Sequence, residues 1–208
     1  MTELTQHLSE FRLLLRGGHL WKKDGWREVV EHQAVQFYAI GVLADLLELP
    51  KEDKDKIRKV ALVHDWQKRM EIKPDEFTDE DREEAGKYFE KVKPDNTLMK
   101  ATGSDFMGRA LNGNPSFLEY VQFYVDDISM GGKIVPLNER LDELEKRKQS
   151  MNEDSELTKS LGGRKYWDVE REIGHRAENM VFKRLKEKGV EVDSPSQIPL
   201  LLKARLPK

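Results

Sequence analysis

The chain has 208 residues with 36 basic and 39 acidic side chains, and its formal net charge of -3 gives no electrostatic footprint for duplex DNA. It contains no cysteine, which excludes disulfides, thiolate nucleophiles, cysteine-ligated zinc and iron–sulfur clusters. The first residues lack a secretory signal pattern, and no run approaches the roughly 20 apolar residues that span a bilayer. We therefore expect a cytoplasmic protein with neither a membrane nor a duplex nucleic acid as partner.

Apolar residues recur with the period of an amphipathic helix through most of the chain, and no segment stands out as a strand. The pattern predicts helices over about residues 2–15, 26–49, 50–64, 78–92, 116–128, 136–148 and 166–188, with one or two short helices between 94 and 115. Gly17 and Gly18 end the first helix, and Thr78 is the predicted N-cap of the fourth. Residues 149–163 have the composition of a loop or linker, and the tail from Ser194 predicts a short helix.

These elements predict an all-α fold. We divide the chain into a helical bundle over residues 1–148, and a linker with a C-terminal helical extension over residues 149–208 that packs on the bundle.

Three predicted helices carry side chains that can bind a metal ion. His32 lies within a long apolar helix, His64 and Asp65 end the next helix, and Asp126 ends a third apolar run. A carboxylate buried at the end of such a run is costly unless a cation or a strong donor compensates it. If the three helices converge, two imidazoles and two carboxylates surround one divalent ion.

The same residues resemble the H…HD…D pattern of the HD-domain superfamily of metal-dependent phosphohydrolases, over roughly residues 26 to 130. EHQAVQFYAIGVLADLL resembles the family's first histidine helix, ALVHDWQKR its HD block with Lys68 at the family lysine, and FYVDDIS its closing motif. The closing motif selects Asp126 rather than Asp127 as the last ligand. Two positions depart from the family pattern: Trp66 follows the HD pair where a small apolar residue is common, and Asp127 stands where a basic residue is frequent.

The resemblance implies an HD-domain-like helical bundle that holds one divalent ion on His32, His64, Asp65 and Asp126. No histidine lies between Trp66 and Val125, which argues against a second metal ion. A mixed set of imidazole and carboxylate ligands admits Mn, Fe, Co, Ni, Mg or Zn. In this interpretation Asp65 orients the attacking water and Lys68 binds a phosphate oxygen.

Three further residues receive predicted roles near this site. Asp127 is the candidate general base. Arg109 and Lys133 lie in glycine-bearing segments near the expected mouth of the site, where they would bind phosphate. Ordinary surface charge is the alternative interpretation of Arg109 and Lys133.

The expected function is hydrolysis of a small phosphate ester, with a nucleotide suggested by the family alone. A phosphodiesterase or alarmone-type hydrolase is an alternative, for which Glu83 and Glu84 are the nearest match to the additional acidic pair of that branch. A third hypothesis is an HD fold that serves as a regulatory or scaffold module without catalysis. The oligomeric state, including a homo-oligomer, stays open.

Overall fold

A computed structural model describes residues 7–19, 27–113 and 115–207 of the chain. Within these ranges the helices are α1 (Leu8–Arg16), α2 (Arg27–Leu46), α3 (Lys51–Val63), α4 (Lys68–Ile72), α5 (Asp79–Val92), α6 (Asn96–Met99), α7 (Gly103–Asn112), α8 (Phe117–Asp127), α9 (Leu137–Arg147), α10 (Ser155–Ser160), α11 (Tyr166–Glu187) and α12 (Ile198–Arg205). Two short strands, β1 (Ser129–Met130) and β2 (Lys133–Ile134), pair antiparallel. The all-α prediction is confirmed.

The centre of the bundle is the packing of α2 against α3 and α8. Phe37, Ile40 and Leu43 of α2 are fully buried, as are Ile57 and Val60 of α3. These side chains recur every three residues, so each helix turns one apolar stripe toward the other. The three helices that carry the predicted ligands are therefore direct neighbours.

The ends of the helices follow local rules. Thr78 caps α5 as predicted, since its hydroxyl accepts the Asp81 backbone N–H and the Asp81 carboxylate accepts the Thr78 N–H. Helix α2 ends at Leu46, three residues before the predicted end at Leu49. Glu48 adopts a left-handed backbone conformation with φ of 52°, and the residue before Pro50 is excluded from helix by the proline ring.

Two local predictions were wrong. Residues 149–163 are not a loop, because they form a 3-10 turn over Gln149–Asn152 followed by α10. Asp154 starts α10 by accepting the backbone N–H groups of Glu156 and Leu157 at 2.9 and 3.0 Å, and Leu161 just after it is fully buried. The β1–β2 hairpin was also missed. Two-residue strands and a capped polar helix lack the apolar period on which the prediction relied.

Helix α11 joins the C-terminal segment to the bundle. It packs against α7, α8 and α9, with Val169, Ile173 and Val181 fully buried. These residues belong to the same apolar cluster as the core of α2 and α3. Helix α12 closes the arrangement against α2 and β2. Among the described residues, no helix is both long and apolar enough to cross a membrane.

Candidate metal centre

Three donor atoms from three helices converge on one point. His32 comes from α2, His64 directly follows α3, and Asp126 lies in the last turn of α8. The distance between His32 Nε2 and Asp126 Oδ1 is 3.0 Å, and that between His64 Nε2 and Asp126 Oδ1 is 3.5 Å. One ligand atom from each residue lies within 4.8 Å of the other two. The structure therefore brings together three of the four predicted ligands.

These separations fit a shared cation. Two ligand atoms about 2.1 Å from one ion lie about 3.0 Å apart at a right angle and about 3.4 Å apart at the tetrahedral angle. The two imidazole-to-carboxylate distances have these values. The donor set, two imidazoles and one carboxylate, suits borderline divalent ions.

His64 is held in the tautomer that a metal ligand requires. Its Nδ1 donates to the backbone carbonyl of Ala61 at 3.2 Å, which leaves the lone pair on Nε2. That Nε2 is buried and makes no hydrogen bond with the described residues. A lone pair that faces the Asp126 carboxylate is repelled by it unless a proton or a metal ion lies between them. The residues present therefore fit a divalent ion.

The same groups perturb one another electrostatically. Burial would raise the pKa of Asp126, but its close contacts with the His32 and His64 imidazoles hold it well below its usual value. Burial would lower the pKa of His64, but the negative charges of Asp65 and Asp126 raise it above its usual value. The site thus keeps Asp126 ionised and attracts positive charge to its neighbours.

Gln36 also belongs to this group of residues, although it was not predicted from the sequence. Its side-chain nitrogen lies 2.7 Å from Asp126 Oδ1, to which it donates, and 2.7 Å from His32 Nε2. The Gln36 side chain is fully buried, one helical turn after His32 on α2. The spacing of four residues between a histidine and an amide on one helical face is the sequence feature that would have identified it.

Asp65 and Lys68 lie beside the three converging donors. Asp65 Oδ2 is 3.9 Å from His64 Nε2 and accepts a hydrogen bond from Lys68 Nζ at 2.5 Å. Burial would raise the pKa of Asp65, but His64 and Lys68 lower it. Asp65 is thus ionised next to the centre and is paired with the lysine rather than with the other three donors.

A cavity of about 630 Å³ opens next to this group, which is large enough for a nucleotide-sized molecule. Its described lining contains both apolar and charged side chains: Glu28, Val29, His32, Asp65, Lys68, Ile72, Met130, Gly131, Arg140, Glu143 and Arg147. Ile72 is 57% exposed, although it is a large apolar residue. Arg140 and Arg147 of α9 were not singled out in the sequence, because only the fold brings α9 to this cavity.

Asp127 does not line the cavity. Its side chain is 4% exposed and faces α11, with Oδ2 only 3.4 Å from the point where a Cβ on Gly174 would lie. Burial, and then the negative charge of Glu170, raises the pKa of Asp127 well above its usual value. A buried carboxyl that favours its protonated form and points away from the cavity is poorly placed for its predicted role as general base.

Arg109 and Lys133 are not brought to this cavity either. Arg109 of α7 forms an ion pair with Glu119 and donates to the Lys100 carbonyl at 3.0 Å, on the wall of a separate depression. Lys133 is an exposed residue of β2 and lines two other depressions. Their placement agrees with the alternative interpretation of both residues as surface charge.

The turn that carries His64 and Asp65 is fixed from the side of α1 and α5. The Trp66 ring stacks on Phe89 with centroids 5.3 Å apart, and His19 Nε2 donates to the Trp66 carbonyl at 2.8 Å. That carbonyl oxygen would lie 2.1 Å from a Cβ on Gly17. Only glycine fits at position 17, so the residue that ends α1 also positions the turn beside the metal centre.

Comparisons of the chain with known protein families, with curated proteins and with solved structures found no match. The resemblance to the HD-domain superfamily therefore depends on the quoted motifs alone.

Proposed function

We propose that the chain is a metal-dependent phosphohydrolase of the HD type that acts on a small phosphate ester, namely a nucleotide. The observation that carries the proposal is the convergence of His32 Nε2, His64 Nε2 and Asp126 Oδ1 beside a cavity whose lining holds both basic and acidic side chains. The H…HD…D resemblance, which selects the same three residues, is a second line of support.

His32, His64 and Asp126 would hold the ion, and Asp65 would become a fourth ligand by exchanging its contact with Lys68. A divalent ion bound there supplies Lewis-acid chemistry: it neutralises phosphate charge and makes bound water more acidic. Gln36 donates to Asp126 and fixes the orientation of this carboxylate, as outer-shell partners of metal ligands do.

The remaining residues of the cavity would bind the substrate. Lys68 binds a phosphate oxygen next to Asp65, and Val29 and Ile72 offer apolar surface to the organic part of the ester. In the reaction a water oxygen bonds to phosphorus, the ester P–O bond breaks, and the alcohol leaves with the proton that the water loses.

The alarmone-type alternative has less support from the placement of its acidic pair. Glu83 of α5 pairs with Lys87 at 2.7 Å, and Glu84 pairs with Arg16 of α1 at 2.5 Å. Both carboxylates serve ordinary surface ion pairs, and neither lines the cavity.

Metal analysis combined with a phosphate-release screen tests the proposal. Purified protein should retain a divalent metal and release phosphate from one or more nucleotides when Mn or Co is added. Asp126→Ala should lose the metal and the turnover while its helical circular dichroism stays the same, because the change removes a ligand and little core volume. Asp105→Ala, at an exposed carboxylate of α7, is the matched control and should behave as wild type.

Two outcomes would contradict the proposal. Wild-type protein that retains no metal and releases no phosphate from any substrate would favour the scaffold hypothesis. Asp126→Ala that binds metal as tightly as wild type would show that the ligand assignment is wrong.

A further inference from the structure

The cavity beside the metal centre has a second cationic wall, formed by α9. Arg140 and Arg147 are seven residues apart and therefore lie on the same face of the helix, two turns apart. Glu143, between them, accepts a hydrogen bond from Arg140 Nη1 with one carboxylate oxygen, and its other oxygen forms an ion pair with Arg147 Nε at 3.0 Å. All three side chains line the cavity. Glu143 thus joins the two guanidiniums into one unit, which we call the α9 arginine pair.

An ordinary surface ion pair does not account for this arrangement. Spacings of three and four residues explain the contacts with Glu143, and Arg147 is 56% exposed. The Arg140 side chain, however, is only 13% exposed, and its Nε is buried with no hydrogen-bond partner among the described residues. A guanidinium has five N–H donors, and Glu143 accepts one from Arg140 and pairs with one nitrogen of Arg147, so both arginines retain donors for a ligand.

The charges around the α9 arginine pair are unbalanced. Partial burial and the positive charges of Lys68 and Arg147 lower the pKa of Lys148, which indicates that Lys148 is crowded by both cations. Arg140, Arg147 and Lys148 carry three positive charges, and Glu143 carries one negative charge. Glu28 of α2, which also lines the cavity, carries a second negative charge, so the excess is one positive charge. Lys68 and Asp65 add one charge of each sign and leave this excess unchanged.

We propose that the α9 arginine pair binds a second phosphate group of the substrate, while the metal centre and Lys68 take the phosphate that is hydrolysed. This inference rests on the proposed function and narrows its substrate class to esters with at least two phosphate groups, such as nucleoside diphosphates or bisphosphates. Two guanidinium forks suit the terminal oxygens of a phosphate, to which arginine binds in a bidentate manner.

Pyrophosphate binding to metal-free protein tests the α9 arginine pair without requiring turnover. In calorimetric titrations after chelation, Arg140→Gln and Arg147→Gln should each weaken pyrophosphate binding by about tenfold or more, since each removes charge-assisted hydrogen bonds. Lys146→Gln removes a neighbouring positive charge of α9 from outside the cavity and should change the affinity less than about twofold. Arg147→Gln is the decisive variant if Arg140→Gln fails to fold, because Arg147 is largely exposed.

Kinetics then separate the two proposals. If wild type hydrolyses a nucleoside diphosphate or bisphosphate with a lower KM than the monophosphate, and Arg147→Gln removes only that advantage, the inference is supported. Equal KM values that do not respond to Arg147→Gln would overturn the second phosphate site and leave the phosphohydrolase intact. Equal affinity for pyrophosphate in wild type and both arginine variants would also overturn the second phosphate site. A protein that binds pyrophosphate through these arginines but hydrolyses nothing would contradict the proposed function and not the anion site.

Discussion

At the scale of single residues, the candidate metal centre is defined by how each side chain is held. His64 is fixed through Nδ1 by the Ala61 carbonyl, and Asp126 is fixed by the Gln36 amide. Such contacts set the direction of a lone pair before an ion arrives, so less conformational freedom is lost on binding. A residue that contacts only the ligands can therefore control the affinity for the metal.

Gln36 provides the test of this view. Gln36→Met keeps the length and burial of the side chain but removes the N–H that Asp126 accepts, and the metal dissociation constant should rise by about 10- to 100-fold. The measurement is competition with a chromogenic chelator. Gln33→Met is the control, because Gln33 is an equally buried glutamine of α2 whose side-chain amide makes no hydrogen bond with the described residues. Equal losses of affinity in both variants would show that the effect of Gln36 is one of packing alone.

At the scale of elements, the turn between α3 and α4 depends on the end of α1. Gly17 lies where the Trp66 carbonyl leaves no space for a Cβ, so α1 can approach the turn closely. The backbone of Gly17 is in the ordinary right-handed helical region, with φ of -66°, so steric contact rather than strain demands glycine.

Gly17→Ala should therefore displace the turn that carries His64 and Asp65. We expect the free energy of unfolding to fall by about 1–3 kcal/mol, as overpacking does, together with weaker metal binding. Gly86→Ala, in the interior of α5 where nothing lies within 4 Å, should instead stabilise the protein by about 0.5–1 kcal/mol. Urea unfolding measures both changes. A Gly17→Ala variant as stable as wild type would show that α1 and the turn separate at little cost.

At the scale of the whole molecule, α11 makes the C-terminal segment part of the bundle. It shares the apolar core, and the Tyr124 hydroxyl of α8 donates to Glu178 of α11 at 3.3 Å. Glu170 of α11 and Asp127 of α8 are buried carboxyls whose charges interact. Burial raises the pKa of Glu170 to about 7, against hydrogen bonds with Asp127 and Tyr166 that lower it. The contact between the helices thus contains carboxyl groups that resist ionisation.

This contact predicts a pH dependence of stability. The pKa of Glu170 is raised in the folded state, so its contribution is fully present below pH 4.5 and is lost as the pH rises through about 7. Glu170→Gln should match wild type in acid and exceed it above neutral pH, by up to about 3 kcal/mol. Urea unfolding at several pH values measures the difference, with the exposed Glu187→Gln as control. A constant difference between wild type and Glu170→Gln at all pH values would contradict the shifted pKa.

The sequence by itself determined the long helices and the three of them that carry the candidate ligands. The apolar period of a helix, its capping residues and the glycines that end it are local features of the sequence. They can therefore be recognised in single segments, such as Thr78 before α5 or the apolar run up to His64. The motif also selected Asp126 over its neighbour. Short elements without an apolar stripe, namely α10 and the β1–β2 hairpin, could not be predicted in this way.

Only the tertiary structure decided which side chains meet. Successive residues of a helix point about 100° apart, so Asp126 faces His32 and His64 while Asp127 faces α11, and their carboxyls acquire opposite pKa shifts. Gln36 and the α9 arginine pair lie at the site, and Arg109 and Lys133 lie outside it, because of how the helices pack. Distances between segments far apart in the chain follow from how the helices pack, and packing depends on the whole apolar core rather than on any one segment.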